Sequence, residues 1–239
     1  MQKAIVIGAS SGIGRELAKA LAREGYILGL AARRVELLTA LQRELPTTSY
    51  IKRIDVTQTD EARELLDELI REMGGVGLII ISAGVIFQNP GWDEDRETID
   101  VNVTGFAALF NYAFSYFCHR GSGHIVGISS VAAVRGGHGS PVYNASKAFV
   151  SSLMHGFRIR ARRMGVNVHI TDIRPGHVNT AMMEGQKGAF WVIPTEAAAR
   201  QIAAAIRKKR KYAYITHRWR MVAWSMRILP DKIYSLFWS

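Results

Sequence analysis

The sequence predicts one α/β domain built on a doubly wound parallel sheet, with a basic, aromatic helical extension at its C-terminus. Three observations carry that expectation. Short apolar runs alternate with longer stretches of helical periodicity along the chain. The runs are near-continuously apolar, as in parallel strands covered on both faces. A glycine-rich turn, Gly8-Ala9-Ser10-Ser11-Gly12-Ile13-Gly14, joins the first run to the first helical stretch, where doubly wound sheets bind phosphates.

Taken in order, Lys3 to Gly8 reads as a strand and Ile13 to Glu24 as a helix. Tyr26 to Ala31 and Val35 to Glu44 repeat the pair. Strands follow at Ser49 to Ile54 and Gly77 to Ser82, with a helix from Asp60 to Met73 between them. A helical stretch covers Arg96 to Arg120, and a strand covers His124 to Ser129. A long helix runs from Val142 to Met164 and a strand from Val166 to Asp172. No linker, repeat or low-complexity segment divides the chain. Residues 1–206 are expected to form the domain, and 207–239 an extension of it.

With 48 % hydrophobic and 21 % charged residues among 239, the chain is neither disordered nor fibrous. The single cysteine, Cys118, excludes a disulfide framework and a cysteine metal cluster. The seven histidines lack ligand spacing, so no metal is expected. Met1-Gln2-Lys3 leads straight into the first strand, so no secretory leader is expected and a cytoplasmic location is. The net charge of +11 is uneven: residues 207–239 hold nine Lys and Arg against one acid, Asp231. The basicity therefore belongs to the extension and needs its own explanation.

In the glycine turn, Gly8 permits a sharp bend. Gly12 lets backbone N–H groups approach a pyrophosphate, and Gly14 lets the helix pack closely. The helix N-terminus then offers unpaired N–H groups and a positive dipole end to the phosphates. Ser10, Ser11 and Ile13 complete the turn. An NAD site would carry a carboxylate at the end of the second strand. Here the stretch reads Ala31-Ala32-Arg33-Arg34. Two guanidiniums suit a 2′-phosphate by charge and geometry, so NADP(H) is expected. Solvation of a helix start by the arginines is the alternative, though cations oppose the dipole there. Asp55-Val56 after the third strand suits an adenine edge, or Asp55 caps the next helix.

Tyr143 and Lys147 are four apart and share a helix face. A neighbouring ammonium favours the phenolate and is expected to lower the tyrosine pKa. Ser129 and Ser130 end the fifth strand, where open α/β sheets bind ligands. A hydroxyl there could hold a carbonyl oxygen beside the tyrosine. Asn102 lies within a helical stretch, where asparagine is intrinsically poor. Its reason is either structural or a water held for proton relay.

Together these motifs resemble the short-chain dehydrogenase/reductase family over roughly residues 3 to 206, whose fold is Rossmann-type. The glycine turn, Asp55-Val56, Asn102, Ser130, Tyr143, Lys147 and Pro175-Gly176-His177-Val178-Asn179-Thr180 match its motifs in order and spacing. The resemblance implies an NADP-dependent oxidoreductase in which Tyr143 is the general acid/base and Ser130 orients the carbonyl. Lys147 would hold the nicotinamide ribose, and Asn102 would anchor a water leading to solvent. Pro175, Gly176, Val178 and Thr180 would bracket the nicotinamide, and Arg33 would take the 2′-phosphate. Ala83 and Gly84 would admit the cofactor close to the backbone. It also implies a homodimer or homotetramer paired through the helices near 102–120 and 142–164. Two departures stand out. Ile7 replaces the usual threonine, and Ile81-Ser82-Ala83-Gly84 replaces Asn-Asn-Ala-Gly, which touches local stability more than chemistry.

Residues 181–194 occupy the place of the family's substrate lid. Met182, Met183, Phe190 and Trp191, with Phe87, His138 and His177 as wall candidates, suggest an apolar carbonyl or alcohol substrate. Packing of these side chains on the body or on a second subunit is the alternative. Tyr212 to Thr216 reads as a final strand. The helix from His217 to Leu229 is apolar most of the way round and ends at Pro230. It must bury surface against a subunit, the lid or a membrane interface. No recognition motif supports nucleic acid. A silent NADP-binding scaffold and a reductase or epimerase of sugar substrates are the rival readings. The intact Ser130, Tyr143 and Lys147 oppose the first, and the lack of an extra substrate domain opposes the second.

Overall fold

The computed structural model describes residues 2–183 and 190–237. Glu184 to Ala189 of the expected lid and Trp238 lie outside the described residues. The strands are β1 (Lys3–Ile7), β2 (Ile27–Ala32), β3 (Ser49–Arg53), β4 (Leu78–Ile81), β5 (Ser122–Ile128), β6 (Asn167–Pro175), β7 (Val178–Asn179), β8 (Ile193–Pro194) and β9 (Tyr212–Ile215). The short β7 and β8 pair with each other. The other seven form one parallel sheet in the order β3-β2-β1-β4-β5-β6-β9.

The near-continuous apolar runs have their reason in the two cores. Successive strand residues point to opposite faces. Ile5, Ile7, Ile79, Ile81 and Ile125 pack with α3 (Thr59–Glu72), α5 (Phe106–Arg120) and α6 (Pro141–Met164). Ala4, Val6, Leu78, Ile80 and Val126 pack on the other side with α1 (Gly12–Arg23), α2 (Val35–Glu44) and α7 (Thr195–Arg207). Ile7 is therefore simply a core residue. Residues 195–207, unassigned from the sequence, form α7. Ala198, Ala199, Ile202, Ala203 and Ile206 are its buried face.

The strand order reverses between β1 and β4, which opens a crevice at their carboxyl ends. Two expectations are refined there. The helical stretch 96–120 is three pieces: α4 (Trp92–Ile99), a π-helical turn at Asp100–Gly105, and α5. Asn102 sits in that wider turn, and such turns recur at functional sites. Strand β6 runs on to Pro175, which carries the chain to the crevice.

The extension folds onto the body. Helix α8 (Trp219–Ile228) buries Trp219, Ala223 and Met226, and α9 (Asp231–Phe237) follows Pro230. Arg135 holds it: its guanidinium donates to the Met226 carbonyl at 2.9 Å and the Leu229 carbonyl at 2.6 Å, and pairs with Asp231. A cation thus caps the negative end of α8. The Tyr234 hydroxyl donates to the Gly136 carbonyl at 2.8 Å.

Phe110 is fully buried, 5.5 Å from the Phe106 ring and 5.2 Å from the Phe157 ring. Phe110→Ala leaves a cavity where α5 meets α6, so urea unfolding should show a loss of about 3–5 kcal/mol. A loss below about 1 kcal/mol would contradict this packing.

Candidate active site

A cavity of about 480 Å³ opens at the carboxyl ends of the strands. Of the catalytic and cofactor-binding residues expected from the sequence, all but Asp55 and Asn102 line it: Gly8, Ser10, Ser11, Gly12, Ile13 and Gly14 from the turn, Arg33 and Arg34 after β2, and Val56 after β3. Ala83 and Gly84 follow β4, Ser130 follows β5, and Tyr143 and Lys147 come from α6. Pro175, Gly176, Val178 and Thr180 close the ring. Among the described residues, no Asp or Glu lines the cavity.

The turn is shaped by close approach. A Cβ on Gly14 would stand 2.2 Å from the Gly8 carbonyl oxygen, and one on Gly8 would stand 2.5 Å from the Ala83 nitrogen. Gly8 also has a φ of +90°, which favours glycine. Ser11 precedes α1 without capping it through its side chain, so first-turn N–H groups remain for an anion. The Arg34 guanidinium donates to the hydroxyls of Ser10 at 3.1 Å and Ser11 at 2.9 Å. Arg33 is half-exposed, 4.0 Å from Glu97.

At the other end the Tyr143 hydroxyl is hydrogen-bonded to Ser130. The Ser130 oxygen also accepts from the Ala132 N–H at 3.0 Å, which fixes its direction. Ser140 and Pro141 start α6, so Tyr143 and Lys147 project from its first turns. The Lys147 ammonium donates to the Ile128 carbonyl at 3.2 Å. A Cβ on Gly84 would stand 3.1 Å from Lys147 Nζ and 3.2 Å from Asn102 Oδ1, so a larger residue would crowd the gap above Gly84.

The family model described as short chain dehydrogenase matches residues 2–189. The chain belongs to the short-chain dehydrogenase family. It is 39 % identical over 186 residues to an uncharacterized oxidoreductase of Myxococcus xanthus, covering 75 % of this chain and 73 % of that one. A short-chain dehydrogenase from Sphingobium yanoikuyae in complex with NADPH superposes with a TM-score of 0.80 at 22 % identity, covering 97 % of both chains. One from Burkholderia phymatum in complex with NAD gives 0.82 at 23 % identity, covering 95 % and 94 %.

In this short-chain dehydrogenase two of the expected residues take partners within the protein, and one expected shift is reversed. The Asp55 carboxylate faces its own turn: Oδ1 accepts from the Thr57 N–H at 3.1 Å and the Thr57 hydroxyl at 2.8 Å. It organises the approach to α3 and does not line the cavity. The Asn102 amide is engaged within the protein. Oδ1 accepts from Val85 N–H at 2.9 Å, and Nδ2 donates to the Val85 carbonyl at 2.9 Å and to Ser146 Oγ at 3.1 Å. It clamps the segment after β4 to α6. Lastly, the Tyr143 pKa is raised, not lowered. Burial pushes it up, and the Ser130 hydrogen bond recovers part of the shift. Lys147 Nζ is 5.6 Å from the Tyr143 ring centroid, and burial pushes the lysine itself down to about 8.

Two groups escaped the sequence reading. Asp172 and Arg174, fully buried and nearly so, share one side of β6. Asp172 accepts from the hydroxyls of Ser129 and Ser151 (2.8 Å for the latter) and from Arg174 Nε at 2.9 Å. Its charge opposes the lowering of the Lys147 pKa. Two charges two apart in a buried strand were the available signal. The second group is the extension: Trp219, Met226 and Tyr234 line the cavity with His138 and His177, while Phe87 does not. A Cβ on Gly176 would stand 2.0 Å from the Trp219 ring, so that glycine makes room for the extension.

The Lys147 pKa of about 8 has a definite consequence for stability. Unfolded, the lysine titrates near 10.5, so between these values the unfolded chain binds more protons and stability rises with pH. Below pH 8 the cost of the buried ammonium is fully present. Lys147→Met should therefore be more stable than the parent at pH 7, with the gap shrinking from pH 8 to pH 10. Paired urea titrations across that range test it, and a pH-independent gap would refute the assignment.

Proposed function

We propose that this short-chain dehydrogenase is an NADP(H)-dependent oxidoreductase that interconverts a carbonyl and a secondary alcohol on an apolar, lipid-like substrate. One observation carries the reading. A cavity whose lining holds no carboxylate among the described residues has Arg33 and Arg34 at one end and Ser130, Tyr143 and Lys147 at the other. Two solved relatives, in complex with NADPH and with NAD, support a nicotinamide cofactor in general. Ala32, where NAD users carry an acid, and the two arginines favour NADP(H).

The residues fit the cofactor. The glycine turn leaves the approach to the α1 N–H groups open, and the Gly84 gap leaves room beside Lys147. When bound, the nicotinamide supplies or accepts the hydride. Tyr143 gives its proton to the carbonyl oxygen as charge develops there, and takes it back in the oxidative direction. Ser130 donates to the same oxygen. Burial favours the protonated form of Tyr143, which is the form the acid role uses. Lys147 holds the ribose and passes the replacement proton, and Asn102 acts as a positioning residue through its clamp on Val85 and Ser146.

The substrate end is walled by Trp219, Met226, Met182 and Met183, with His138 and His177. Such walls accept an irregular apolar molecule. The outward stripe of α6, Ala145, Phe149, Ser152 and Gly156, is exposed and small-sided apart from Phe149. It suits close helix approach in a homodimer or homotetramer.

Tyr143→Phe should lower kcat by about 10²–10⁴-fold while leaving NADPH binding intact. Unchanged turnover of a ketone would overturn the acid/base assignment. Arg33→Ala with Arg34→Ala should weaken NADPH by roughly 10- to 100-fold and NADH little, read by nicotinamide fluorescence. Equal NADPH and NADH affinity in the parent protein would refute the cofactor preference.

A further inference from the structure

Helix α8 has two apolar faces, and the fold uses one. Its inner side, Trp219, Ala223 and Met226, is buried on the body. Directly opposite, Met221, Trp224 and Ile228 are 75 %, 65 % and 58 % exposed. At 100° per residue these three form one outward stripe. Arg220 and Arg227 run along one edge of it and Arg218 along the other, all exposed. No acidic residue occurs in α8. The nearest in sequence, Asp231, is engaged by Arg135. The apolar surface continues beyond the helix: Trp191 and Val192 are each 44 % exposed, and the Trp191 ring lies 5.9 Å from Trp219 with the Arg218 guanidinium 5.0 Å above it.

An apolar stripe with arginines on both edges is the arrangement of a helix lying in a lipid interface. The apolar side chains enter the acyl boundary, and the cations reach back to the headgroups. The charge also selects among occupants. A symmetric contact with a second copy would set Arg218, Arg220 and Arg227 against the same three arginines. An anionic headgroup layer neutralises all three. Among the described residues no helix is long and apolar enough to cross a membrane, so the contact is peripheral.

We propose that the outward face of α8, continued by Trp191 and Val192, docks this enzyme on an anionic lipid surface. The inner face of the same helix walls the cavity through Trp219 and Met226. Docking then places the substrate end of the cavity one helix diameter from the lipid, so an apolar substrate could pass between them with little exposure to water. This goes beyond the cofactor reading and does not depend on it.

The test is flotation of the full chain with vesicles of phosphatidylcholine alone and of phosphatidylcholine with phosphatidylglycerol, at low and high salt. The parent protein should float with the phosphatidylglycerol vesicles, less so at high salt, and not with phosphatidylcholine alone. The triple variant Met221→Gln, Trp224→Gln, Ile228→Gln should stay behind, with turnover of a water-soluble ketone unchanged. Should that variant fail to fold, Arg220→Gln with Arg227→Gln keeps the apolar stripe. It should lower vesicle partition by roughly 25-fold, about fivefold per arginine. A parent protein that ignores both vesicles overturns the proposal, as does a folded triple variant that floats like the parent. Loss of self-association in the triple variant, without any vesicle binding by the parent, would reassign the face to a second copy. Flotation needs no turnover, so its failure is distinct from failure of the NADP(H) reading.

Discussion

The Asp172 carboxylate is the interaction on which the Ser130, Tyr143 and Lys147 end of the cavity depends. It is fully buried, and it joins β5 through Ser129, α6 through Ser151 and its own strand through Arg174. Arg174 in turn donates to the Tyr214 hydroxyl on β9 at 2.9 Å and to Ser151 at 2.7 Å. A buried charge is tolerated only when it is paired and hydrogen-bonded. Here that requirement draws the strand leading to Ser130 and the helix bearing Tyr143 and Lys147 into one register. Breaking such a pair leaves an uncompensated buried charge, which costs about 3–5 kcal/mol.

That arrangement explains why the site can hold a strained set of ionisable groups. Lys147 is desolvated enough to titrate at about 8, yet Asp172 on the next strand keeps it from falling further. The same burial raises the Tyr143 pKa, with Ser130 opposing. Neither residue is at its ordinary value, and perturbed groups that converge in one cleft are what proton-transfer sites require. The glycine-turn end of the cavity works by different physics. It offers helix N–H groups and two guanidiniums, with no carboxylate among the described lining residues, an environment that suits an anion without desolvated charges.

The extension gives the enzyme its remaining wall. Trp219 is the largest fully buried side chain among the described residues, and it reaches its place because Gly176 has no Cβ. Arg135 then fastens the end of α8 to the segment after Ser130. The same helix therefore shapes the substrate end inwardly and presents Met221, Trp224 and Ile228 outwardly.

The alternation of elements, the parallel sheet, the glycine turn and the Ser130, Tyr143 and Lys147 set were legible in the sequence. Each rests on a short-range pattern: a period of two or 3.6, a turn of seven residues, a spacing of four. What the sequence left open depends on contacts between distant residues. Asn102 is a clamp and not a cavity residue because Val85 and Ser146 come to it from 17 and 44 positions away. Arg135 is a staple because Leu229, 94 positions on, ends its helix there. The Tyr143 pKa moves up because desolvation outweighs the Ser130 hydrogen bond, whereas the four-residue spacing alone suggested a lowering. Local pattern determined the elements and the reactive residue types. Only tertiary burial decided their charge states and their neighbours, because desolvation and long-range hydrogen bonds exist only once the chain is packed.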